Sequence, residues 1–139
     1  MYKRQLLITE KVGKLKLLNF SSGEVKDIKG LPKIHFRSQG GLSEIKVSPN
    51  FKEDKTIFFS YTSLNSFDGT NTLAVSSASL NGEKLENVKE IFRAKANRRT
   101  GAHYEQNYFF FLMELCLFQV VMALTIVSKL NFWITILEN

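Results

Sequence analysis

Residues 30–62 read GLPKIHFRSQGGLSEIKVSPNFKEDKTIFFSYT, and this stretch decides the fold. Gly30-Leu31-Pro32 opens a loop that runs to Gly40-Gly41; residues 42–47 then alternate apolar and polar, Ser48-Pro49-Asn50 breaks the run, and residues 56–61 (TIFFSY) are dense in aromatic and β-branched side chains. Alternation of period two, bounded by Gly, Pro and Asn, is the mark of short strands with one buried face. The pattern continues outward in both directions. On the N-terminal side, residues 6–9 and 14–20 form a hairpin about the turn Lys11-Val12-Gly13, with Leu15 and Leu17 alternating against lysines, and Ser21-Ser22-Gly23 makes the next turn. On the C-terminal side, residues 72–78 put Leu73 and Val75 on one face, Leu80-Asn81-Gly82 turns, and residues 88–93 supply a further strand. Helical periodicity of useful length is absent before residue 100.

Short strands separated by frequent turn signals fit a sandwich, a barrel or a propeller, and spacing alone leaves all three open. About 100 residues of such strands suffice for a small sandwich, or for only about two propeller blades of about 40–50 residues each. The 139 residues bound the chain to one domain at most. A hydrophobic content of 44% with 23% charged residues argues against a disordered chain and against a polytopic membrane protein. The single Cys (Cys116) rules out a disulfide framework and a cysteine-built metal site, and leaves the redox compartment open. MYKRQLLITEK has too short an apolar stretch for a signal peptide, so either the chain is cytoplasmic or its true start lies elsewhere.

Three segments together resemble one family, the quinoprotein soluble sugar dehydrogenases, or glucose/sorbosone dehydrogenase family. LLITEKVGKLKLL (residues 6–18) is similar to the family's opening hairpin. Residues 30–62 are similar to its Gln-Gly-Gly-Leu strand, Pro-Asp/Asn-Phe turn and following Ser-Tyr strand. NTLAVSSASLNGEKLENVKEIFRAKANRRTGAHY (residues 71–104) is similar to its next hairpin and Gly-x-His-Phe/Tyr signature. Any one is weak; the set in order covers essentially all of residues 6–104. The resemblance implies an all-β chain: about the first two blades of an incomplete six-bladed β-propeller, with an apolar C-terminal tail beyond residue 104.

It also implies chemistry at two positions. His103 matches the general base that takes the proton of the anomeric hydroxyl while hydride passes to pyrroloquinoline quinone (PQQ), a task suited to an imidazole that is neutral and basic near neutral pH. Gln39 matches a glutamine near cofactor and substrate, where an amide can donate and accept at once. Without the family, His103 reads as a loop histidine, Gly40-Gly41 as a turn and His35 as a surface loop residue. The family's PQQ anchors and calcium ligands come from later blades, so the fragment is expected to bind neither and to be inactive. Ala102 stands where some relatives carry an acid, which removes acid-assisted positioning of the imidazole. The implied substrate is a small aldose sugar, oxidised to its lactone, and the implied compartment is the periplasm or the exterior.

The tail is composed differently. Residues 1–103 hold 18 of the 19 Lys+Arg and 10 of the 13 acids, a formal charge of +8, whereas residues 104–139 carry −2 together with five of the twelve Phe and the only Trp and Cys. Tyr108 and Val127 bound 20 residues in which only Glu114, Gln119 and Thr125 are polar, long enough as a helix to span a bilayer core of about 30 Å. A frameshift after codon 104 explains this better. Shifting the frame by one base forces Gly from Met113-Glu114, Gly from Met122-Ala123, Leu from Phe132-Trp133 and Asp from Trp133-Ile134, where the family pattern wants them. The bias of 14 Lys over 5 Arg suits an A/T-rich gene, whose out-of-frame text is rich in Phe, Leu and Ile. Residues 105–139 therefore read as out-of-frame translation, expected to lack native packing against the body.

Two other readings compete. A tail-anchored membrane protein would insert residues 108–127 and turn its basic body to anionic lipid; membrane is a partner only if that helix is genuine. A nucleic-acid binder is suggested by Arg93, Lys95, Arg98 and Arg99. Lysines scatter over both strand faces and no base-stacking aromatic motif accompanies them, so the cluster reads as a solvated loop and no nucleic-acid partner is expected.

Overall fold

A computed structural model describes residues 4–95 and, for its backbone, 132–138. The join at residue 104, His103, Cys116 and the 108–127 run lie outside the described residues. Two four-stranded sheets account for nearly everything described. Sheet 1 has the order β3-β2-β1-β8, built from β1 (Arg4–Glu10), β2 (Lys14–Asn19), β3 (Val25–Ile28) and β8 (Phe132–Glu138). Sheet 2 has the order β4-β5-β6-β7, a meander of β4 (Leu42–Val47), β5 (Thr56–Leu64), β6 (Asn71–Asn81) and β7 (Lys84–Arg93). Every ladder within the sheets is antiparallel.

The strands form where alternation and turn signals place them, because one face of each sheet meets the other sheet. Leu7, Leu15 and Ile28 of sheet 1 pack with Leu42, Ile45, Ile57, Phe59, Tyr61, Ala78, Leu80 and Leu85 of sheet 2 in one buried cluster. Phe59 and Ile57 are fully buried, and the Phe59 and Tyr61 rings lie tilted with centroids 5.8 Å apart. The Tyr61 hydroxyl lies 3.2 Å from Ser76 Oγ, and burial pushes its pKa above the usual phenol value.

Two seams hold the sheets together. At one, the Leu42 N–H donates to the Lys11 carbonyl (3.0 Å) and Thr9 Oγ1 donates to the Ser43 carbonyl (2.8 Å). Gly41 sits there at φ 145, and a Cβ would collide with the Lys11 carbonyl oxygen, so only glycine lets the backbones approach. At the other, Lys29 bridges Lys84 in parallel, with the Lys29 N–H on the Glu83 carbonyl (2.9 Å) and Lys26 Nζ on Glu83 Oε1 (2.8 Å).

Three elements depart from the sequence expectation. The strand β3 has only four residues, two of them charged, and is held by pairing with β2 rather than by its own apolar pattern. Ser48-Pro49-Asn50 leads into a single helical turn, α1 (Phe51–Asp54), which buries Phe51 and ends at Lys55 in the left-handed region. The third lies in the tail, where the backbone of residues 132–138 forms β8 and pairs with β1 along its whole length, from Arg4↔Glu138 to Glu10↔Phe132. The sequence FWITILE is aromatic and β-branched, which favours a strand wherever an edge is offered.

Candidate functional site

Of the two site residues that the sequence suggests, Gln39 is described and lies at one end of sheet 2, while His103 is outside the described residues. Leu42, Tyr61, Ala74 and Arg93 form a single cross-strand row. Gln39 precedes Leu42 by three residues, and Lys95 follows Arg93 by two, so both lie beyond the same end of the sheet. Three strand spacings separate the two sides, about 14 Å.

Gln39 is exposed on a tight turn in which the Gly40 N–H donates to the Arg37 carbonyl (2.9 Å) and Ser38 takes φ 52. What fixes that turn is Thr62, fully buried in β5. Its Oγ1 accepts the Gly41 N–H (3.1 Å), its own N–H donates to the Gly41 carbonyl (2.9 Å), and its carbonyl accepts the His35 N–H (2.8 Å). A Cβ on Gly40 would stand 2.9 Å from Thr62 Oγ1. The Gly40-Gly41 pair is thus a close-approach device as well as a turn. Sequence reasoning missed Thr62 and the Lys11 carbonyl, since a threonine in TIFFSYT signals only strand propensity; the register that sets it opposite Gly41 carries the information.

His35, expected as a surface loop residue, is half-buried, and its Nε2 has no hydrogen-bond partner. Asn71, 1% exposed and paired with Leu64 at the same end of the sheet, likewise has an unpartnered Oδ1. Buried polar atoms of this kind are rare and mark a place where other groups belong.

Arg93 does not stand free as part of a nucleic-acid surface: it donates to both carboxylate oxygens of Glu90 (2.8 and 2.7 Å) and to Ser63 Oγ, and the carboxylate raises its pKa. Arg98 and Arg99 lie outside the described residues. Among the described residues no group of three or more His, Cys, Asp or Glu could hold a metal ion. A shallow hollow of about 460 Å³ lies at the opposite end of sheet 2; one segment, residues 47–53, lines it, far from Gln39, so it offers no convergent chemistry.

The glucose/sorbosone dehydrogenase family model matches residues 1–118. The chain belongs to that family. Among curated relatives, aldose sugar dehydrogenase YliI of Escherichia coli (strain K12) is 28% identical over 101 residues, covering 71% of this chain and 27% of the relative. An uncharacterised protein of Synechocystis, slr1608, is 28% identical over 107 residues, covering 71% of this chain and 26% of the relative. The soluble aldose sugar dehydrogenase of Escherichia coli in its apo-form superposes with a TM-score of 0.65 at 28% identity over 70% of this chain and 28% of that one. A crystal structure of glucose dehydrogenase does so with a TM-score of 0.62 at 32% identity over 66% of this chain and 27% of that one. A PQQ-bound aldose sugar dehydrogenase from Streptomyces coelicolor shares the fold alone, at 19% identity and a TM-score of 0.51. The chain spans about a quarter of the length of these glucose/sorbosone dehydrogenase relatives, and its two sheets are blades of an incomplete six-bladed propeller. The family match runs to residue 118, past codon 104 and into the 108–127 run, which disfavours the tail-anchored reading and lends no support to a break in frame directly after codon 104. No helix among the described residues is long and apolar enough to cross a membrane.

Proposed function

We propose that this chain is the N-terminal part of a quinoprotein that oxidises the anomeric hydroxyl of aldose sugars to lactones, in the periplasm or outside the cell. The observation that carries the reading is the family match over residues 1–118, and the layout of sheet 2 is compatible with it. The Gln39 turn is held rigidly by Thr62 and Lys11, and β7 leaves the sheet at that same end toward the Gly-x-His-Tyr segment. The eight residues from Lys95 to His103 reach at most about 26–29 Å when extended, ample for the about 14 Å back to Gln39.

His103 would take the hydroxyl proton on its imidazole as general base, and the Gln39 amide would orient the sugar by donating one hydrogen bond and accepting another. PQQ, when bound, supplies the hydride acceptor, and calcium its electrostatic anchor. Among the described residues there is no group of three or more His, Cys, Asp or Glu that could hold a metal ion, and in this reading PQQ and calcium are both held by later blades. The remaining groups belong to blades beyond these 139 residues, and the chain by itself turns over no sugar.

Residues 105–139 are, in this reading, out-of-frame translation following one lost base after codon 104. Resequencing across that codon is the first test, and an intact frame overturns the frameshift. The second is the frame-restored protein supplied with PQQ and calcium: dye reduction with glucose is expected, abolished by His103→Ala, and its absence with a panel of aldoses overturns the enzyme reading.

A further inference from the structure

The β5–β6 connection carries the most exposed large apolar side chain among the described residues, Phe67, at 99%. The loop around it is tightly tied. The Phe67 N–H donates to Asn65 Oδ1 (3.1 Å), the Asn65 N–H to the Thr70 carbonyl (2.7 Å) and the Gly69 N–H to the Asn65 carbonyl (3.0 Å). Asp68 Oδ1 accepts both the Thr70 N–H (2.9 Å) and the Thr70 hydroxyl (2.6 Å), and Gly69 takes φ 67. Ordering a loop costs conformational entropy, and a phenyl ring held in water returns no burial to offset it, which marks the ring as a contact residue rather than a core one.

The loop leaves sheet 2 at the end where Gln39 lies. Thr62 of β5 is bonded through its backbone to Gly41 and His35 on the neighbouring segment, so the Gln39 turn and the Phe67 loop start about one strand spacing apart, about 4.8 Å. Leu64 at the foot of the loop and Phe36 beside His35 are also exposed, by 39% and 52%. This end of the sheet therefore presents an exposed amide next to a short apolar strip with an aromatic ring at its tip. Propeller blades pack around a central channel through their faces, which leaves loops at the strand ends accessible.

We propose that Phe67 is a sugar-stacking residue, whose ring receives the C–H face of the pyranose that the Gln39 amide orients, with Phe36 and Leu64 extending the apolar surface. A pyranose is amphipathic, with hydroxyls at its rim and C–H groups on its faces. The negative face of a phenyl ring attracts those polarised C–H groups, and both partners remove apolar area from water. The ligand class comes from the sugar-oxidation reading, on which this proposal rests; the residue and its role come from the loop.

Titration of the full 139-residue chain with methyl β-glucopyranoside, followed by NMR, tests it without quinone. Resonances of residues 64–70, Phe36 and Gln39 should shift with the glycoside and hold with glucitol, an open-chain polyol rich in hydroxyls but without a ring face. Phe67→Ala should raise the dissociation constant about 3- to 10-fold, and Phe67→Tyr should restore it. A side chain that is 99% exposed is not needed for folding, so both variants report on binding. In the frame-restored enzyme Phe67→Ala should raise KM by the same factor and change kcat far less. Three results overturn the proposal: shifts that glucitol reproduces, no shift at residues 64–70, or a KM that Phe67→Ala leaves unchanged. Glycoside binding that Phe67→Ala weakens, in a protein whose restored frame oxidises no aldose, overturns the enzyme reading and upholds this one.

Discussion

Sheet 2 is assembled from consecutive chain, each strand pairing with the next through a short connection, whereas sheet 1 completes itself with a strand more than 100 residues from the one it pairs with. Local pairings close small loops at little entropic cost, while the β1–β8 ladder must close a very long one before any of its bonds form. Sheet 2 is therefore the self-sufficient half of the molecule and sheet 1 the dependent half. A propeller cut after two blades would be expected to behave this way, since its first sheet loses neighbours on both sides.

The largest expected effect falls where the two halves share a core. Phe59 is fully buried among residues of both sheets, and Phe59→Ala should cost about 3–5 kcal/mol through lost transfer energy and the cavity left behind. Urea unfolding followed by far-UV dichroism should show one transition at a much lower midpoint. If instead only the β1–β3 amides lose exchange protection, the sheets are separate units and the comparison sharpens into two domains.

Gly41 comes next. Alanine there would strain a backbone at φ 145 and push the Lys11 carbonyl away from the Leu42 N–H. Gly41→Ala should destabilise by about 3 kcal/mol, the upper end for such strain, and should release sheet 1 more than sheet 2. Equal loss in both sheets would show that the inner seam is no weaker than the sheets it joins.

The sheet-2 meander was legible because its alternation, its Ser-Pro-Asn break and its Asn-Gly turn all agree, each local signal repeating what tertiary packing requires. Sheet 1 was legible only in its first hairpin. Val25-Lys26-Asp27-Ile28 is too short and too charged to announce a strand, and its pairing depends on β2 being present. Residues 132–138 carry clear β propensity, but nothing in them names β1 as the partner, and an apolar tail reads as easily as a helix. At the site, Gln39 was found through resemblance to the family, with no local chemistry to single it out. Thr62 was invisible because its role rests on register across 21 residues.

Thr62 offers a finer test. Thr62→Val keeps shape and β propensity but removes the acceptor of the Gly41 N–H, and an unmade bond at a buried amide costs about 1–2 kcal/mol. Resonances of residues 35–41 should shift and their amides exchange faster, while those of sheet 1 hold. If sheet 1 responds equally, the turn and the inner seam are one element rather than two.

The smallest effect should be confined to the far end of sheet 2, away from Gln39 and from sheet 1. There Ser48 Oγ donates to Asp54 Oδ2 (2.6 Å) and accepts the Asn50 N–H (3.1 Å), while Asp54 Oδ1 accepts the Thr56 N–H (2.8 Å). The Ser48 hydroxyl first, and then the Thr56 amide, hold the Asp54 carboxyl below the usual aspartate range. A carboxylate depressed on folding contributes stability that is fully present above its unfolded pKa and is lost as pH falls through its folded pKa. Ser48→Ala removes the larger cause. The gap in urea midpoint between the two proteins should therefore be widest near neutral pH and narrow below the ordinary carboxylate range, leaving only the pH-independent loss of the Asn50 bond. A gap that stays constant down to about pH 2 would mean that the exposed Asp54 couples to folding through its backbone contacts alone, and that this end of sheet 2 owes nothing to its charge.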